Sequence, residues 1–155
     1  MRYDGWIQTP GVAVEQFTAS AHRAAGESVP AGDVTAGITV LIADDHPGFR
    51  RALETALRRA PGLTLVGSAR DGEEAVLMTV QLRPRVVVMD LAMPGMSGVE
   101  ATRRLMEQRE PPAVVALSGS RELMRDAIAA GASSTVLKEA DLSELLANIR
   151  VVANV

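Results

Sequence analysis

Five residues have types and spacing that point to chemistry: Asp44 and Asp45, Asp90, Ser118 and Lys138. All of the chain's 16 basic side chains except Lys138 are arginine. A compact ammonium and a planar guanidinium fork are not interchangeable, so the exception draws attention. Clustered carboxylates repel one another and stay ionised together only beside a cation. Hard oxygen ligands with room for water suit Mg²⁺ or Mn²⁺. A carboxylate so placed can attack phosphorus and become an aspartyl phosphate, while metal and ammonium neutralise the equatorial oxygens of the transferring group. Ser118 can donate a hydrogen bond to such an oxygen, and Gly119 after it leaves the approach uncrowded. Singly, each residue has a plainer explanation. Asp44-Asp45 can cap a helix, Asp90 can start the turn at Met93-Pro94-Gly95, Ser118-Gly119-Ser120 can be a turn, and Lys138 can be a surface charge.

The elements that carry these residues decide between the two readings. Ile38 to Ala43 is a short, almost unbroken apolar run ending at charge, as expected of a strand covered on both faces. After Asp44-Asp45-His46-Pro47 come Phe49, Leu53, Ala56, Leu57 and Ala60 at helical spacing, stopped by Pro61-Gly62. The cycle repeats with a strand at Leu63–Val66 and a helix at Gly72–Leu82, then with Val86–Met89 and Val99–Gln108. Ala113–Leu117 and Arg121–Ala130 follow, and a last strand at Thr135–Leu137 leads to Leu142, Leu145, Leu146, Ile149 and Val152 on one helical face. Five alternations predict a doubly wound α/β fold, in which ligands bind beyond the carboxyl ends of the strands. The five residues fall just past strands one, three, four and five. One shared rim explains them together, which the separate explanations do not.

Composition narrows the alternatives. The 155 residues are 47% hydrophobic and 23% charged, with 16 basic against 19 acidic side chains, which suits one soluble, cytoplasmic domain and argues against a broad nucleic-acid surface. No apolar run approaches the ~18 residues of a membrane span, and Asp4, Gln8 and Thr9 interrupt any secretory signal. The absence of cysteine excludes disulfides, thiolate metal sites and cysteine nucleophiles. Two histidines, His22 and His46, are too few for a zinc site of several imidazoles. Residues 1–37 read as an extension, expected to be a flexible leader. A partner-docking segment is the alternative, with Val14, Phe17, Ala21 and Ala24 on one side of a short helix.

From about Ile38 to Val152 the chain resembles the receiver domain of bacterial two-component response regulators. The matching residues are Asp44-Asp45, Asp90-Leu91-Ala92-Met93-Pro94 with Gly98, Ser118-Gly119, and Lys138. The Asp44-Asp45-His46-Pro47 start and the Gly131-Ala132 approach to the last strand resemble the subfamily that usually carries a LuxR-type helix-turn-helix output domain. The resemblance implies a flavodoxin-like five-stranded parallel sheet of order 2-1-3-4-5. It also implies that Asp90 takes a phosphoryl group from a phosphohistidine on a sensor histidine kinase, the chain being no enzyme beyond its own phosphorylation and dephosphorylation. Asp45 would be a direct Mg²⁺ ligand, Asp44 would act largely through water, and the backbone carbonyl of Ala92 would complete the protein ligands. Ser118 and Lys138 would bind the phosphoryl oxygens. Their movement would switch the surface of the fourth helix, fifth strand and fifth helix, through which dimerisation or docking follows.

The chain departs from the family at two positions. Thr135 stands where relatives carry a Tyr or Phe switch residue, and Glu139 follows the lysine where many have proline. The sequence ends at Val155, so either a single-domain regulator or a DNA-binding regulator cut at its linker is expected. Other classes fit less well. A haloacid dehalogenase-type hydrolase needs Asp where Ala92 stands, a phosphate-binding loop needs Ser or Thr where Glu139 stands, and a Gly-x-Ser-x-Gly serine hydrolase elbow needs glycines where Ala116 and Ser120 stand. The remaining competitor is a phosphate-independent pseudo-receiver that serves as an interaction module.

Overall fold

The computed structural model describes residues 37–155. The readings made of residues 1–36, a flexible leader or a docking segment with a short helix around Val14 to Ala24, lie outside the described residues. Elements alternate in chain order: β1 Ile38–Ala43, α1 Pro47–Arg59, β2 Leu63–Ala69, α2 Gly72–Leu82, β3 Val86–Asp90, α3 Gly98–Met106, β4 Ala113–Ser118, α4 Arg121–Ala130, β5 Ser134–Leu137 and α5 Leu142–Ala153. The five strands pair in parallel in the order β2-β1-β3-β4-β5.

Strand alternation divides the core in two. Val40, Ile42, Val86, Val88, Val115, Leu117 and Val136 pack with Leu53 and Leu57 of α1 and with Leu145, Ile149 and Val152 of α5. Leu41, Val87, Met89, Val114 and Ala116 face the other way, toward Met78 of α2, Ala101 and Leu105 of α3, and Ala127 of α4. Both faces of β3 are therefore covered and all five of its residues are buried. This is why its sequence reads as a continuous apolar run ending in one carboxylate.

Helix starts are fixed by side chains at the expected places. Asp71 accepts from the Glu74 amide, Ser97 from Glu100, Ser120 from Leu123 and Asp141 from Ser143. Helix α1 differs: Pro47 supplies its first turn, and the cap residue His46 makes no side-chain capping bond. Among the described residues no helix is long and apolar enough to cross a membrane.

Strands β3, β4 and β5 each run one residue beyond the predicted bounds, so that Asp90 and Ser118 are the last residues of their strands, and two elements differ by more. Strand β2 runs on through Gly67-Ser68 to Ala69, past the predicted end at Val66. Gly67 is a packing site, because a Cβ there would lie 2.6 Å from Met78 Cε and 2.9 Å from Leu82 Cδ1, so its small size lets α2 lie close on the sheet. Helix α3 ends at Met106, and the Glu107 and Gln108 amides close the predicted last turn by bonding Arg104 and Leu105 carbonyls three residues back.

Candidate phosphoryl and metal site

Strand order places the chemistry. The order reverses between β1 and β3, and the pairing of Ala43 with Met89 brings Asp44 and Asp90 out side by side at the carboxyl rim. On the other side of β3, Ser118 pairs with Leu137. The Lys138 amide donates to the Ser118 carbonyl at 3.1 Å, so lysine and hydroxyl leave the sheet together.

The side chains converge. Lys138 Nζ donates to Asp90 Oδ2 at 3.1 Å and lies 3.0 Å from Asp44 Oδ2, an ion pair without hydrogen-bond alignment. Asp44 and Asp90 are essentially fully buried, and the ammonium bridging them is mostly so. Asp44 Oδ1 accepts the His46 amide at 2.7 Å, and Asp90 Oδ1 accepts the Ala92 amide at 3.1 Å. Neither Asp44 nor Asp45 caps α1, since the cap position belongs to His46. Ser118 is buried, its Oγ accepting the Ser120 amide at 2.9 Å. Thr135 is half-buried in β5 opposite Ala116, and Ala92 is exposed at the rim.

Two buried carboxylate oxygens, Asp44 Oδ2 and Asp45 Oδ1, have no hydrogen-bond donor. The first has only the Lys138 ammonium beside it and the second only the His46 ring, and an oxygen-rich pocket short of hydrogen-bond donors matches what a hard divalent cation requires. The donor set fits Mg²⁺ or Mn²⁺. One ligand atom from each of Asp44, Asp45, His46 and Asp90 falls in a group whose members all lie within 4.8 Å of one another.

Electrostatics follow from this crowding. Burial pushes the Asp90 carboxyl above its ordinary range, and the Asp44 charge adds to the rise, while the Ala92 amide and Lys138 oppose it without cancelling it. Burial lowers the Lys138 pKa, but contacts with Asp44 and Asp90 outweigh this and hold it above its ordinary value. The raised Asp90 value means that the folded state penalises its charged form at neutral pH. The penalty shrinks as pH falls through the raised value, because the folded state then binds protons before the unfolded state does. Without divalent ions, Asp90→Asn should therefore melt roughly a few degrees above wild type at pH 7. Thermal unfolding from pH 7 downward checks this, and the gap should narrow as acid neutralises Asp90 in the wild type. A lower melting point in the variant at pH 7 would contradict the assignment of an uncompensated charge.

Three neighbours were not singled out as site residues by the sequence reading. His46 Nδ1 lies 3.1 Å from Asp45 Oδ1 and 3.5 Å from Lys138 Nζ. The Phe49 ring centroid lies 4.7 Å from Lys138 Nζ, within cation–π range. Arg50 Nη1 donates to the Asp44 carbonyl at 2.8 Å. The available signal was position: 46, 49 and 50 occupy the cap and first turn of the helix that leaves β1 at the rim.

A parallel sheet of order 2-1-3-4-5, with three aspartates, a serine and a lysine at its carboxyl rim, defines a flavodoxin-like domain with an acidic cluster at its switch point that could hold a metal ion. The chain belongs to the response regulator receiver domain family, whose model matches residues 40–150. It is 36% identical over 115 residues to the transcriptional regulatory protein LiaR of Bacillus subtilis, covering 73% of this chain and 54% of that protein. It is 50% identical over 78 residues to a protein-glutamate methylesterase/protein-glutamine glutaminase of Myxococcus xanthus, covering 50% of this chain and 22% of that protein. Among solved structures, the response regulator domain of Thermotoga maritima CheB superposes with a TM-score of 0.71 at 32% identity, over 77% of this chain and 98% of that one. The chain thus spans 22% and 54% of the lengths of these two curated relatives.

Proposed function

We propose that this chain is a phosphoacceptor receiver in which Asp90 takes a phosphoryl group from a phosphohistidine of a sensor histidine kinase. The observation that carries this reading is the Lys138 ammonium held between the buried Asp44 and Asp90 carboxylates, with a further carboxylate oxygen, Asp45 Oδ1, buried beside them without a hydrogen-bond donor. An Asp90 oxygen attacks phosphorus as the phosphorus–nitrogen bond to the donor imidazole breaks, and the released ring takes a proton from solvent. Lys138 bonds an oxygen of the transferring group, and the Ser118 hydroxyl donates to another. Asp44, Asp45, Asp90 and the Ala92 carbonyl would hold Mg²⁺ or Mn²⁺, which supplies positive charge against the phosphoryl oxygens. Lys138 engaged by phosphate relaxes its grip on Asp44, and β5 carries that change outward, with Ser118 and Thr135 as the switch positions.

The exposed apolar side chains Ile128, Leu137 and Val151 sit one each on α4, β5 and α5, which supports a dimerisation or docking surface there. A cytoplasmic location and a transcriptional output supplied by further chain are part of the same proposal, as is a domain boundary near residue 37.

The test is intact mass after incubation with acetyl phosphate. Wild type with Mg²⁺ should gain one phosphoryl group, and wild type with chelator or Asp90→Asn with Mg²⁺ should gain none. Uptake that is indifferent to metal, or that persists in the variant, would place the chemistry elsewhere. No uptake from either acetyl phosphate or a histidine kinase would favour the phosphate-independent interaction module.

A further inference from the structure

The side chain of His46 stands at the acidic pocket, where its ring nitrogen also lies 3.5 Å from the Lys138 ammonium. It occupies the cap position of α1 yet makes no capping bond, and it is 65% exposed, so no packing role holds it in place. Its Nδ1 nevertheless points at the carboxylates, 3.1 Å from Asp45 Oδ1 and 3.5 Å from Asp44 Oδ1. The approach to Asp45 is not a hydrogen bond, because Asp45 Oδ1 has no donor. A ring nitrogen and a carboxylate oxygen at this separation, with no hydrogen bond between them, have the spacing of ligands around one ion. With bonds of about 2.1 Å, neighbouring ligands lie about 3.0 Å apart in an octahedral site and about 3.4 Å apart in a tetrahedral one.

We propose that His46 is a nitrogen ligand that gives this pocket a second metal class, the late first-row divalent ions of the cobalt, nickel and zinc group. The proposal rests on the reading of the pocket as a cation site and adds a selectivity to it. Three carboxylates alone make a hard site suited to Mg²⁺ and Mn²⁺, whereas imidazole is a borderline ligand that adds little for Mg²⁺ and much for the later metals. Asp44 Oδ2, fully buried and facing the Lys138 ammonium at 3.0 Å without hydrogen-bond alignment, is a second carboxylate oxygen of the cluster, and an entering ion would share it with that lysine. His46 is thus a residue that sets metal specificity, separate from those that would contact phosphate.

Because later metals bind most sites more tightly than Mg²⁺ does, the comparison must be between variants. The full chain is titrated with CoCl₂ by calorimetry and visible absorption, and with MgCl₂ by calorimetry, for wild type, His46→Ala and His22→Ala. His46→Ala should weaken Co²⁺ binding about tenfold or more and leave Mg²⁺ within about twofold. Wild type loaded with Co²⁺ should also show shifted imidazole ring protons that the His46 variant lacks and the His22 variant keeps. Unchanged Co²⁺ affinity in His46→Ala, with Mg²⁺ still bound, would overturn this proposal alone, and dependence on His22 would do the same. Failure of wild type to bind either ion would overturn both the proposal and the reading of the pocket beneath it.

Discussion

Replacing Gly98 with alanine should destabilise the fold by about 3 kcal/mol or more, because the added methyl has nowhere to go. A Cβ at this position would lie 2.0 Å from the Asp90 carbonyl oxygen and 2.7 Å from Leu91 Cα, both main-chain atoms that cannot rotate aside. The closeness has a cause in the loop after β3. It folds back so that the Gly98 amide donates to the Leu91 carbonyl at 3.2 Å, and Ser97 then caps α3 directly over the end of the strand. Accommodating a methyl must lift either the start of α3 or the end of β3, and the latter carries Asp90. Urea unfolding should show a lower midpoint with an unchanged slope, and phosphoryl uptake by the folded fraction should fall as well. A midpoint within about 0.5 kcal/mol of wild type would mean that the loop is less constrained than its geometry requires.

Lys138→Ala should produce the second large effect, and one that metal repairs. The ammonium is the cation between Asp44 and Asp90, whose side chains are 0% and 1% exposed. Its removal leaves two buried carboxylates facing each other without compensation. Breaking a buried pair costs on the order of 3–5 kcal/mol, and the partial exposure of the lysine trims this to about 2–4. Mg²⁺ binds the same carboxylates, so saturating metal should restore stability to the variant by about 2–3 kcal/mol at a hundredfold excess over its dissociation constant. Adding Asp90→Asn to the lysine variant should also recover stability, making the two changes strongly non-additive. Equal loss with and without Mg²⁺ would show that Lys138 acts through packing, for instance against Phe49. No loss at all would show that the pocket was never short of positive charge.

The parts of this site that were legible in the sequence are those set by chain order. An apolar run ending in a charge marks both a covered strand and its exit point, so chain order alone assigns Asp44, Asp90, Ser118 and Lys138 to one rim. Gly72–Leu82 and Arg121–Ala130 match their predicted ends because Asp71 and Ser120 are capping residues and Gly131 supplies the left-handed terminus. Strand β2 was read too short because glycine and serine at 67 and 68 have the composition of a turn, and only the approach of Met78 and Leu82 gives Gly67 its reason. His46, Phe49 and Arg50 were missed for a different reason. Their roles depend on where side-chain atoms point from the first turn of α1, and periodicity reports only which face of a helix a residue occupies. The pairing of Lys138 with Asp44 as well as Asp90 is of the same kind, set by the reach of a flexible side chain across two strands.

The central claim is that Asp90 becomes an acyl phosphate, and reductive trapping tests it at the level of the atom. Borohydride cleaves an aspartyl phosphate to the corresponding alcohol and leaves free carboxylates and phosphoserine intact. Wild type treated with acetyl phosphate and Mg²⁺, reduced and digested with trypsin, should show the converted side chain in the peptide spanning residues 86–103, which contains Asp90 as its single aspartate. Conversion confined to the peptide that holds Asp44 and Asp45, or phosphate that survives reduction on Ser118, would contradict the account.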